Sequence, residues 1–331
     1  MAANQDIGSL QMLNEKLIAL ERQFQPSPLT PIFEDFLKAR HIQLWLKRDD
    51  LIHPIISGNK WRKLKYSLNH ALFLQKDTLI SMGGAYSNHL HALAYAGKCL
   101  NLKTRAFIRG EEPAVLNPTL QDLKTWGMDL QFVSRSDYRA LRDFKTFDAL
   151  PDIKPNEYWI PEGGALALAL QGVAELISEI SIDYDVICTA CGTGTTLAGI
   201  ISAVAENTQV LGFSALKGGG FLNADVENIL RTASPLKDWQ SCLSANKNWQ
   251  IHLNYHLGGF AKSTPELSAF MAEFEQRHGI VLEPIYTGKM LFGLYNLIQQ
   301  NYFHNGQKII AIHTGGLQGN RSSVKLDGSV I

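Results

Sequence analysis

Three apolar runs in this chain end in glycine clusters, and that arrangement leaves little choice of fold. Thr78-Leu79-Ile80-Ser81 runs into Met82-Gly83-Gly84, and Asp185-Val186-Ile187-Cys188-Thr189 leads to Gly192-Thr193-Gly194-Thr195-Thr196. Lys308-Ile309-Ile310-Ala311-Ile312-His313 ends at Thr314-Gly315-Gly316. Runs this short and this apolar read as buried strands, and the glycines supply the turns that leave them. Residues 59–75 carry Trp61, Leu64, Leu68 and Leu72 at helical spacing. Residues 87–100 read as a helix with Ser87 or Asn88 as its cap. Strands over 104–108 and 129–133, with a helix over 118–126, complete a βαβαβ run. A second run joins a helix over 165–180, a strand over 185–189, a helix over 197–205 and a strand over 210–213. Further helices are expected over 264–278 and 288–300, a strand over 43–47, and a helix or extended lead-in over 12–24. The class is therefore α/β, with two open, twisted, mainly parallel units and covering helices. Segments 144–155 and 217–248 read as irregular connections.

With 331 residues the chain is long enough for two domains and a large core. Lys plus Arg is 31 and Asp plus Glu is 31, a balance that argues against a nucleic-acid binder. No apolar stretch approaches the length of a membrane span. Met1 to Arg22 lacks a basic segment followed by an apolar block, so no secretory signal and a cytoplasmic setting are expected. Cys188 and Cys191 form a CxxC pair, but no second pair follows at zinc spacing, so they read as packing residues of a strand. Cys99 and Cys242 stand alone and read the same way. His89 and His91 are two apart and face different sides of a helix, so no metal site is expected.

Ligands of open α/β sheets lie at the carboxyl ends of strands. Here those ends carry Ser57-Gly58-Asn59-Lys60, the segment 83–89, the loop Cys191 to Thr196, and the segment 313–316. Gly192 and Gly194 let backbone N–H groups turn toward an anion, and Thr193, Thr195 and Thr196 add hydroxyls. A dinucleotide fingerprint would need glycine where Leu197 stands, and no Walker lysine follows. The loop reads as a monophosphate cradle or as an ordinary glycine-rich turn. Lys60 opens a helix, where a cation is disfavoured and its amine pKa falls; it reads as a nucleophile or as a surface lysine.

Taken together the motifs resemble one enzyme family. Residues 57–66, Ser57-Gly58-Asn59-Lys60-Trp61-Arg62-Lys63-Leu64-Lys65-Tyr66, look like the Gly-Asn-Lys segment of the 1-aminocyclopropane-1-carboxylate (ACC) deaminase and D-cysteine desulfhydrase family. Its members are pyridoxal 5′-phosphate (PLP) enzymes of the tryptophan synthase β-like class, fold type II. The likeness extends through Lys47-Arg48-Asp49-Asp50-Leu51, Gly83-Gly84, Ser87-Asn88-His89, Pro161-Glu162-Gly163-Gly164, Tyr286-Thr287-Gly288-Lys289 and His313-Thr314-Gly315-Gly316. It covers about residues 28 to 320.

The resemblance implies that Lys60 bonds covalently to PLP and later moves the substrate α-proton. It implies that Lys63 and the loop Cys191, Gly192, Thr193, Gly194, Thr195 and Thr196 hold the phosphate. Asn88 would bond the ring hydroxyl, Thr314 would face the pyridine nitrogen, and Ser87 and Tyr286 would line the substrate side. It also implies a small unit of about residues 54–162 inserted in a larger one of 1–53 plus 163–331, with PLP between them, in a homodimer.

The branch rests on two positions. ACC deaminases of this family carry Tyr-Glu where Tyr286-Thr287 stands, and lack threonine in the His-x-Gly-Gly segment. Thr287 and Thr314 therefore point to α,β-elimination from D-cysteine, giving pyruvate, hydrogen sulfide and ammonia. The alternative is ACC deamination to 2-oxobutanoate, and other D-amino acids stay open. Tyr86 and Leu317-Gln318 depart from the family pattern. A non-catalytic PLP binder and a nucleotide enzyme using the glycine loop are the competing classes; retention of the whole set argues against the first, and Leu197 against the second.

Overall fold

The computed structural model describes residues 12–233 and 248–322. In chain order the elements are α1 (Glu15–Glu21), β1 (Leu29–Ile32), α2 (Asp35–Ala39), β2 (Gln43–Lys47), α3 (Asn59–Phe73), β3 (Thr78–Gly83), α4 (Asn88–Leu100), β4 (Lys103–Arg109), α5 (Pro118–Thr125), β5 (Met128–Val133), α6 (Arg135–Leu141), β6 (Glu157–Ile160), α7 (Ala169–Ser178), β7 (Val186–Cys191), α8 (Thr195–Ile201), β8 (Gln209–Ser214), α9 (Leu222–Ala233), β9 (Trp249–His252), α10 (Pro265–His278), α11 (Thr287–Gln299) and β10 (Lys308–Ile312). Helix boundaries follow the residues. Ser87 caps α4 by accepting the Leu90 N–H, Asn117 caps α5 ahead of Pro118, and Thr264 caps α10 ahead of Pro265. Asn101 and Gly279 close α4 and α10 in the left-handed region.

The strands form two sheets. One is six-stranded in the order β1-β2-β10-β7-β8-β9, parallel except for β1, which runs against β2. The other is four-stranded and parallel, in the order β5-β4-β3-β6. This is the α/β architecture with two mainly parallel sheets that the glycine-ended runs predict. Alternation along β10 sends Ile309 and Ala311 into the core under α10 and α11, and Ile310 and Ile312 into the core under α7 and α8. A third core unites α3, α4 and the four-stranded sheet, and α1 adds Leu17 and Leu20 to it.

One element lies where irregular chain was expected, and another was not anticipated. Helix α9 occupies part of segment 217–248, with Leu222, Val226 and Ala233 buried one to three turns apart. Strand β6 follows the irregular segment 144–155 and is buried throughout. Helix α7 starts at Ala169 rather than 165, because Ala165, at φ −82° and ψ 58°, lies outside the helical region. Cys99 is exposed beside Lys98 on the outward side of the last turn of α4, contrary to its packing assignment, and Cys242 lies outside the described residues. Among the described residues no helix is long and apolar enough to cross a membrane, and no acidic, histidine and cysteine group could hold a metal ion.

Helix α3 is fixed from behind by charge. Arg62 bonds Asp49 through Nε at 3.2 Å and Nη2 at 3.0 Å, and Glu179 through Nη1 at 2.5 Å and Nη2 at 2.8 Å. Lys47 Nζ joins the same Glu179 at 2.8 Å, and Lys65 Nζ binds Glu175 at 2.9 Å and Glu21 at 2.7 Å. Planar bidentate geometry favours these Arg62 pairs, and removing one partner would strand a buried charge. Helices α3 and α7 cross so closely that a Cβ on Gly172 would lie 1.9 Å from the Arg62 carbonyl oxygen. Gly172→Ala should therefore cost about 1–3 kcal/mol or more by forcing backbone apart. Urea unfolding of the purified variant measures it, and an unchanged midpoint would mean the crossing is looser than this.

Candidate active site

Four chain segments converge on the amino end of α3. Gly58, with φ +66°, precedes it, and a Cβ there would lie 2.0 Å from the Thr314 carbonyl oxygen. The Asn59 N–H reaches that same oxygen at 3.3 Å, and the Gly58 N–H reaches the Asp49 carbonyl at 2.8 Å. Only glycine fits, and its presence locks the lysine-bearing helix to the end of β10. Lys60 Nζ donates to Asn59 Oδ1 at 2.8 Å and sits 6.0 Å from the centre of the Tyr286 ring. Asn59 Nδ2 in turn donates to Thr196 Oγ1 at 3.0 Å, which ties Lys60 to the glycine loop.

The loop is built to leave room. Gly192 lies under Tyr286, whose ring carbon Cε1 would be 3.0 Å from any Cβ there. Gly194 has φ +73° and packs on Val226, so the unexpected helix α9 is what backs the loop. Thr193 and Thr195 pair their hydroxyls at 3.0 Å. The first N–H groups of α8 have no carbonyl one turn back to bond. Opposite stands Gly163: its absent Cβ would touch Thr193 at 3.0 Å and Lys63 Nζ at 3.7 Å.

Lys63 is buried, yet among the described residues its amine has no hydrogen-bond or ion-pair partner. Burial first, and then the Lys60 charge, push its amine well below the ordinary lysine value. His89 is buried beside it; its Nε2 meets Ser81 Oγ at 2.8 Å while its Nδ1 has no partner among the described residues. A pocket with two neighbouring amines and no acid bonded to either suits an anion. The residues therefore fit a phosphorylated cofactor that also bonds an amine.

Lys60 suits that second role. Although the residue is only half-buried, desolvation of its amine outweighs the attraction of Glu283 and lowers the pKa to about 8. A neutral amine is then plentiful near neutrality, as attack on an aldehyde requires. Tyr286 stays a phenol, held protonated by burial and the nearby Glu283 charge. Thr314 Oγ1 lies 3.4 Å from Thr287 Oγ1, both buried. Asn88 begins α4, and its Nδ2 is 2.9 Å from the point a Cβ on Gly316 would occupy.

The structure thus brings Lys60, Lys63, the loop 191–196, Tyr286, Thr314 and Asn88 around one space. Ser87 differs: its hydroxyl accepts the Leu90 N–H and adjoins Gly83, so these contacts belong to the start of α4. Tyr86 is 51% exposed, so packing does not explain it. Cys191 is buried with its thiol pushed up to about 12, which removes thiolate chemistry from the CxxC pair.

One residue of the site is not apparent from the sequence. Glu283 is buried, 2% exposed, and its carboxylate accepts the N–H groups of Ile285, Tyr286 and Thr287 at 2.8, 2.6 and 2.5 Å. It thereby holds the segment that presents Tyr286 and Thr287. Burial raises its pKa to about 7 against those three bonds and Lys60. The available signal is an acid just ahead of a helix, but a helix expected from 288 rather than 287 conceals it.

A lysine amine poised across from an anion cradle, in a fold of two mainly parallel sheets, is the demand of a cofactor carrying both an aldehyde and a phosphate. The family model described as pyridoxal-phosphate dependent enzyme matches residues 20–315. The chain belongs to that family, its fold is type II, and its cofactor is pyridoxal 5′-phosphate. It is 31% identical to the mitochondrial bifunctional D-cysteine desulfhydrase/1-aminocyclopropane-1-carboxylate deaminase of Arabidopsis thaliana, over 84% of this chain and 73% of that one. It is 28% identical to the 1-aminocyclopropane-1-carboxylate deaminase of Rhizobium rhizogenes, over 83% and 87%. A crystal structure of an ACC deaminase homologue superposes with a TM-score of 0.76 at 26% identity, covering 93% of this chain and 97% of that one.

Capture of PLP by the apoprotein should quicken as pH rises, half-maximal near pH 8, because only the neutral Lys60 amine reacts. Glu283→Gln removes a charge that favours the ammonium form, so the midpoint should move to lower pH. Stopped-flow absorbance across the pH range tests both, and a midpoint that rises in the variant would contradict the assignment.

Proposed function

We propose that the chain is a PLP-dependent lyase acting on a small D-amino acid, with D-cysteine as substrate. The observation that carries the reading is the buried hydroxyl pair Thr287 and Thr314 beside Lys60 and Tyr286. Bound PLP supplies an electron sink for the substrate α-carbon. Lys60 holds the cofactor and, as a neutral amine, takes the α-proton. Lys63 and the loop 191–196 hold the phosphate. Asn88 engages the ring oxygen and Tyr286 borders the substrate, with Ser87 capping the helix that carries Asn88. A hydroxyl at Thr314 cannot match a carboxylate in holding a proton on the ring nitrogen, so the sink is modest. That favours substrates whose β-substituent leaves readily. In D-cysteine the Cβ–S bond breaks and hydrosulfide departs with the electron pair. One water is consumed overall, and pyruvate, ammonia and hydrogen sulfide are formed.

Residues 54–162 would be the smaller unit, and a homodimer the working assembly. A second reading, ACC deamination to 2-oxobutanoate, is favoured by the relatives' names and by the Glu283 carboxyl with its pKa near 7. Against it, Glu283 is committed to three backbone N–H groups, and Thr287 offers no carboxylate for opening a cyclopropane.

The PLP-loaded protein, given D-cysteine, L-cysteine and ACC in parallel, should release sulfide and pyruvate from D-cysteine alone. Lys60→Ala should abolish that turnover by several orders of magnitude, and retained turnover would overturn the role of Lys60. Thr287→Glu should raise release of 2-oxobutanoate from ACC; no rise would show that this position alone does not separate the two reactions.

A further inference from the structure

We propose that Gln318 and Arg321 set the hydrogen-bonding direction of Asn88, so that its amide N–H, rather than its carbonyl, faces the cofactor. The inference rests on the PLP reading above and gives a role to residues outside the implied site. After β10, Gly315 and Gly316 run with φ +77° and +90°. A Cβ on Gly315 would lie 2.8 Å from Ser57 Oγ, and one on Gly316 2.9 Å from Asn88 Nδ2 and 3.3 Å from Glu283 Cγ. The chain threads this gap and then coils through the 3-10 turn Leu317–Ser322. That brings Gln318 against α4 and α5, which belong to the other sheet.

Gln318 makes three side-chain bonds there. Its Nε2 donates to Asn88 Oδ1 at 2.5 Å. Its Oε1 accepts from Thr119 Oγ1 at 2.9 Å and from Arg321 Nη2 at 3.1 Å. Arg321 is held in turn by Asp122 at 2.7 Å, whose carboxylate also takes His91 Nε2 at 2.9 Å. A carboxamide can turn either end to a neighbour, and only its partners decide which. Arginine removes the choice, because a guanidinium can only donate. Facing it, Gln318 must present oxygen; toward Asn88 it must then present nitrogen. Asn88 answers with Oδ1, and its Nδ2 is left on the Gly316 side. Direction passes from a surface arginine to the site through two amides.

The consequence is a polarity switch testable by one isosteric change. Gln318→Glu keeps the size and still accepts from Arg321 and Thr119, but offers Asn88 only oxygen. Asn88 must then turn Nδ2 toward residue 318 and present its carbonyl to the cofactor oxygen. Gln318→Met breaks the bonds but leaves Asn88 free to donate. In the first variant PLP should bind roughly tenfold or more weakly, since hydrogen bonds to charged groups are the strong ones. Its visible band should shift from that of the wild type, while the melting temperature of the apoprotein should not fall. Gln318→Met should be milder on both PLP affinity and band position. Wild-type affinity and spectrum in Gln318→Glu would overturn the inference. So would a larger loss in Gln318→Met that follows its melting temperature, because that is the signature of packing. Borohydride trapping in the wild type, with peptide mapping, keeps the two levels apart: an adduct absent from Lys60 removes the PLP reading itself and the inference with it.

Discussion

Everything in this site hangs on one backbone contact, Gly58 against the Thr314 carbonyl. A side chain at 58 would stand 2.0 Å from that oxygen, and the conformation there, φ +66°, is one that glycine tolerates. Through this contact the helix carrying Lys60 is registered to the last strand of the six-stranded sheet. Arg62 secures the same helix on its far side by gripping Asp49 and Glu179, and Asp49 also holds the Gly58 N–H. Lys60 thus projects from a clamp rather than from a free helix end. Its depressed pKa follows from that enclosure, with Glu283 acting as a partial counterweight.

Much of this is legible from residues alone. Buried strands ending in glycine clusters predict parallel sheets, and the ends of those strands are where Lys60, the loop 191–196 and Thr314 meet. What cannot be read depends on contacts distant in sequence or on short, disguised elements. Pro31 lies in β1 and would ordinarily argue against a strand; it is tolerated because β1 is an edge. Helix α9 does carry a helical pattern in Leu222, Val226, Ile229, Leu230 and Ala233, but the glycines at 218–220 preceding it suggest a loop. The difference bears on the site, because Val226 is the surface on which Gly194 turns. Glu283 shows only as an acid ahead of a helix, with its depth of burial unreadable, and Gln318 carries no signal of its role in the sequence, since it works through Asn88, Thr119 and Arg321.

The site is also notable for how its polar groups are shared out. Carboxylates near it are committed: Glu283 to three backbone N–H groups, Asp49 to Arg62, Glu179 to Arg62 and Lys47. Hydroxyls and amides, rather than free acids, border the space around Lys60. Such a lining can orient charge developing on a bound molecule without adding a competing base. It leaves the amine of Lys60 as the group best suited to move a proton there.

The neighbouring Lys63 has a consequence for binding itself. Its amine is buried beside another amine, so the pocket by itself disfavours the charged form. An anion placed against it reverses that preference. Entry of a phosphate and uptake of a proton from solvent then become a single thermodynamic event. Affinity for the phosphate group must fall as the solution grows more alkaline, and a calorimeter would record heats that vary with the ionisation enthalpy of the buffer.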